Sequence, residues 1–147
     1  MNKLKTEQSA EILNSVYRNA QMAYEASSDV IKHCRNRELS REISEQQQRY
    51  KTVASRARRE LAKRGEAAYD ASPYVKTMAK MGIAVKTAAN QSNANLARIM
   101  LQGTTMGIID MQHTLNRSHS AERGVRESAA RLLEREQNFC DDLKRFL

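Results

Sequence analysis

Along three long stretches of this chain the apolar residues recur at alternating intervals of three and four, and a single proline interrupts the sequence. That spacing is the period of a helix with one buried face; a half-buried strand would alternate every second residue. Five glycines leave few turns, and the absence of tryptophan with only 5% aromatics speaks against a β-sandwich or barrel. Ala, Glu, Arg, Lys, Leu and Gln fill the remaining positions, and these residues lose little freedom in a helix.

Four helices are expected. The first spans about residues 6–34, with a stripe of Leu13, Val16, Tyr17, Ala20, Tyr24, Val30 and Cys34, and with Thr6 or Ser9 as a cap. The second spans about 38–64, after a turn at Asn36, with a seam of Leu39, Ile43, Gln46, Tyr50, Val53, Ala57 and Leu61. Lys63, Arg64 and Gly65 suit its end. A connector over 66–90 follows, in which Ser72-Pro73 starts a short amphipathic helix reaching about residue 89. The third helix, about 92–117, carries only Arg98, Asp110 and Arg117 as charges. Its apolar residues wrap widely, so it is expected to be either the most buried helix or part of a subunit interface. The fourth, about 120–146, has a seam of Val125, Ala129, Leu132, Glu136, Phe139 and Leu143, with Ser120 as its cap. The expected fold is all-α: one four-helix bundle domain over 1–147, with a long, partly helical connector between helices 2 and 3. So long a connector can carry the chain back along the bundle, leaving helices 1 and 4 parallel.

The formal net charge is +8. Between Lys32 and Arg64 stand eleven Lys/Arg and four Glu, which accounts for +7 of it. A basic helix of this kind is either a solvated exterior or an anion-binding face, with Arg49, Arg56, Arg59 and Lys63 as the candidates for phosphate or another anion. No run approaches the ~18 apolar residues of a membrane span, and no secretory leader is recognisable at the start. Cys34 and Cys140 form neither a C-x-x-C pair nor a disulfide framework, so reduced thiols and a cytoplasmic location are expected.

Nucleophile elbows, phosphate loops, dinucleotide fingerprints and zinc-protease motifs are all missing from the sequence. Two constellations remain. Gln46 and Glu136 fall on seams among apolar neighbours and, with Tyr24, are expected to form a buried polar layer that sets the register of the bundle. Asp110 and His113 stand at i, i+3 on helix 3, and with Glu136 they form the candidate metal cluster.

The stretches AQMAYEAS (Ala20–Ser27), EISEQQQRYKTVASRARRELAKRG (Glu42–Gly65) and REQNFCDDLKRFL (Arg135–Leu147) resemble ferritin-like four-helix bundles, more narrowly an uncharacterised group of bacterial ferritin-like proteins. The resemblance implies a bundle with one crossover and, in metal-bearing members, carboxylate-bridged iron or manganese held by Glu-x-x-His pairs. Here Glu45-x-x-Gln48 and Glu134-x-x-Gln137 carry glutamine in place of histidine. The expectation is therefore a non-catalytic bundle without a cofactor that self-associates into a homo-oligomer or scaffolds a protein partner. The alternatives are an iron or manganese oxidoreductase or store, and a binder of nucleic acid or anionic surfaces through helix 2.

Overall fold

Four helices carry the structure: α1 (Asn2–Ile31), α2 (Arg37–Lys63), α3 (Asn93–Arg117) and α4 (Arg123–Lys144). The computed structural model describes residues 2–69, 82–83 and 90–147, and no strand occurs among them. The connector helix expected over 73–89 lies outside the described residues, except that Gly82 and Ile83 are helical. None of the described helices is long and apolar enough to cross a membrane.

Local chemistry sets the ends of α2. The Asn36 side chain caps it by accepting from the Leu39 N–H at 2.9 Å. At the other end Gly65 adopts φ 70°. The Gly65 N–H then reaches the Ala62 carbonyl at 3.0 Å and the Glu66 N–H the Leu61 carbonyl at 2.9 Å, which is the Schellman arrangement. The Ser92 hydroxyl caps α3 by accepting from Asn95 N–H at 3.2 Å.

Two capping expectations need correction. Helix α1 begins at Asn2, which leaves Thr6 and Ser9 inside it. Ser120 precedes Glu122, the N-cap of α4, which makes no side-chain cap bond. The turn before α4 is instead held by α1: Ser9 Oγ accepts the Glu122 N–H at 2.8 Å and Gln8 Oε1 the Ser120 N–H at 2.6 Å. Backbone donors at the entry to a helix lack intrahelical partners, and here they find them across the bundle.

Core membership fixes the direction of each helix. One cluster joins Leu13 of α1, Leu61 at the end of α2, Met111 and Leu115 at the end of α3, and Val125 at the start of α4. A second, at the opposite end, joins Val30, Leu39, Ile43, Leu96, Phe139 and Leu143. Hence α1 and α4 run one way and α2 and α3 the other. The end of α2 and the start of α3 therefore lie at opposite ends of the bundle; Ala68 packs on the first cluster and Ile83 on the second. A third cluster of Tyr17, Ala20, Tyr50, Ala54 and Ala57 zips α1 to α2.

The burial ranking differs from expectation. The most covered helix is α1, in which no residue from Ile12 to Ile31 is exposed. On α3, Met106 is 71% and Ile109 63% exposed. Sparse charge on α3 therefore marks a face left open to solvent, not a face fully buried by its neighbours.

Candidate functional site

Helices α2 and α4 meet through side chains more than through backbone, and three polar bridges span the seam between them. At one end Arg64 donates to Glu122 from Nε at 2.6 Å and from Nη2 at 2.9 Å. At the other, Arg145 Nη2 lies 3.3 Å from Glu42. Between them sits Glu136, only 4% exposed. It accepts from the Tyr50 hydroxyl at 2.9 Å and from Gln46 Nε2 at 3.3 Å. Arg49 Nη1 in turn donates to Gln46 Oε1 at 3.0 Å, linking the buried amide to solvent.

Burial disfavours the charged form of Glu136, and the hydrogen bonds from Tyr50 and Gln46 only partly offset this; its pKa is pushed up to about 7. The Tyr50 phenol is raised as well, first by burial and then by the nearby Glu136 charge. The layer thus contains Gln46 and Glu136 as expected, but the phenol that completes it is Tyr50. The side chain of Tyr24 packs against the Tyr17–Tyr50 cluster, and its carbonyl accepts from Gln47 Nε2 at 3.1 Å.

The metal candidates are not brought together. Asp110 turns to α1, where it accepts from Asn19 Nδ2 at 2.6 Å, Ser15 Oγ at 3.0 Å and Arg18 Nη2 at 3.1 Å. Burial works to raise its pKa, yet Asn19, Arg18 and Ser15 hold it below the ordinary aspartate value. His113 is exposed, and Glu136 has its own partners. Among the described residues no group of three or more His, Cys, Asp or Glu is placed to hold a metal ion. An iron or manganese pair needs converging carboxylates and imidazoles, whereas Glu136 meets an amide and a phenol; these residues do not fit that group.

The basic candidates divide. Arg49 is engaged by Gln46, and Lys63 pairs with Glu60 at 2.9 Å. Arg59 is exposed on the outer side of α2. Arg56 borders a cavity of about 390 Å³ between α2 and α4. Its apolar wall comes from Ile12, Leu13 and Val16 of α1, Val53 and Ala57 of α2, and Val125 and Leu132 of α4. Its charged rim is Arg56, Arg64, Arg131 and Arg135 with Glu60 and Glu122. The sequence reading missed Arg131 and Arg135. Their spacing at i, i+4 beside Leu132 was a usable signal, masked by the richer charge of α2.

A second surface is the outer face of α3. Thr105, Met106, Ile109, Gln112, His113 and Asn116 are all exposed there, and none carries a formal charge with histidine neutral. No protein-family model, curated protein or solved structure matches the chain.

Proposed function

We propose that this chain is a non-catalytic helical bundle that works by association, with the outer face of α3 meeting α3 of a second copy. The observation that carries this reading is the exposure of Met106 (71%) and Ile109 (63%) in the middle of an uncharged strip. A net charge of +8 makes copies repel wherever basic faces meet, and the α3 strip is free of that penalty. Full burial of a Met or Ile side chain contributes about 1.5–3 kcal/mol, so four such side chains support a dissociable pair. One helix face is small beside a standard interface, which also points to a weak, reversible assembly. The return of the chain between α2 and α3 supports the ferritin-like assignment, because such bundles have one long crossover. The layout and the sequence resemblance support a bacterial ferritin-like bundle, and the free thiols of Cys34 and Cys140 support a cytoplasmic location.

Sedimentation velocity over a micromolar concentration series tests the proposal. The wild type is expected to shift from one copy to two with rising concentration. Met106→Lys combined with Ile109→Lys is expected to stay monomeric with unchanged helicity. A wild type that is monomeric throughout, or a double variant that associates equally well, contradicts the reading.

A further inference from the structure

The cavity between α2 and α4 has a composition that the association reading does not use. Its wall is aliphatic and its rim holds four arginines against two glutamates. Arg64 occupies both acids, at 3.2 Å from Glu60 and 2.6 Å from Glu122. Among the described residues no hydrogen bond or ion pair holds Arg56, Arg131 or Arg135, so the rim carries a surplus of positive charge. The antiparallel course of α2 and α4 puts the Arg64–Glu122 pair at one end and Arg56 with Arg135 at the other. Arg131 lies one helical turn from Arg135.

The composition selects the occupant. From Val53 to Arg64 the α2 wall runs for roughly 17 Å at 1.5 Å per residue. An extended alkyl chain can lie along an aliphatic wall of that length, and the arginine surplus at its mouth is complementary to a single carboxylate. We propose that the α2–α4 groove binds a free medium- or long-chain fatty acid. The alkyl chain lies on Ile12, Leu13, Val16 and Leu132, and the carboxylate sits at the mouth between Arg56 and Arg135. Arginine suits this role because its planar fork matches a carboxylate. The Arg64–Glu122 pair closes the far end, so the head has one polarity of entry.

Isothermal titration calorimetry with decanoate and dodecanoate, below their micelle concentrations and with helicity monitored, tests this. Saturable binding of one molecule per chain is expected, tightening roughly fifteenfold for the two added carbons when both are buried. Decanol, which keeps the chain and lacks the charge, is expected to bind several-fold more weakly. Arg56→Gln with Arg135→Gln is expected to weaken decanoate about tenfold and to erase its preference over decanol. Ser128→Trp, at an exposed position of the groove wall, is expected to abolish binding with the fold intact. Binding in the Met106→Lys/Ile109→Lys variant is expected to be unchanged, which separates this proposal from the one about association. Absence of saturable heat, or binding indifferent to both groove variants, overturns it. So does binding of an acidic amphipathic peptide in this groove with none of either fatty acid.

Discussion

Glu136 loses its water on folding and receives two hydrogen bonds in return. Its pKa, near 7, lies above the ordinary glutamate value. Between roughly pH 4.5 and 7 the folded chain therefore binds a proton that the unfolded chain has released. Stability from this group is greatest at the acidic side of that window and falls as pH rises through it. The shift corresponds to about 3 kcal/mol. Glu136→Gln cannot ionise, so denaturant melts are expected to show a flatter pH profile for the variant than for the wild type across this window. Parallel profiles would mean that Glu136 is hydrated. Asp110 behaves in the opposite sense, because its α1 partners favour the charged form. Asp110→Ala strands the Asn19 and Ser15 donors and is expected to cost about 1–3 kcal/mol at neutral pH, read from the shift in the urea midpoint. The sequence exposed Gln46 and Glu136, because polar residues on an apolar seam stand out. It hid the partners of Asp110, because Ser15, Arg18 and Asn19 lie more than ninety residues away and all three lie off the α1 stripe.

At the scale of the helices, local signals were legible where the cap belongs to its own helix. Gly65 closes α2 where the sequence implies, and Asn36, expected as the turn residue before α2, also supplies its cap. Gly65→Ala tests this: a Cβ there meets no atom within 4 Å, so the cost is purely that of holding alanine at φ 70°. A loss of roughly 1–2 kcal/mol is expected, and thermal unfolding should fall by several degrees. The start of α4 was not legible, since its N–H groups are satisfied by Gln8 and Ser9 from the far end of the chain. The low charge of α3 was read correctly as unusual, but charge alone does not distinguish a covered face from one awaiting a partner. Burial decided it: α1 supplies the covered helix, and α3 keeps Met106 and Ile109 in water.

For the whole molecule, the long connector in the sequence allowed a return of the chain along the bundle but left its direction open; core membership decides that α1 and α4 run parallel. The α2–α4 groove was not anticipated, because it arises from how far apart two helices stand, and spacing along a chain carries no such information. The distribution of charge is the property that joins the two proposals. Basic residues predominate on α2, arginines of α2 and α4 concentrate around the groove, and the α3 strip is left as an uncharged face. Association through α3 is the central claim, and electron paramagnetic resonance distance measurement tests it most directly. With Cys34 and Cys140 replaced, one spin label per chain at Asn116→Cys reports only on neighbouring copies. The account predicts a defined inter-copy distance for that label and a much longer one, or none, for a label at Lys51→Cys on α2. No dipolar coupling at Asn116, or a shorter distance at Lys51, would contradict it.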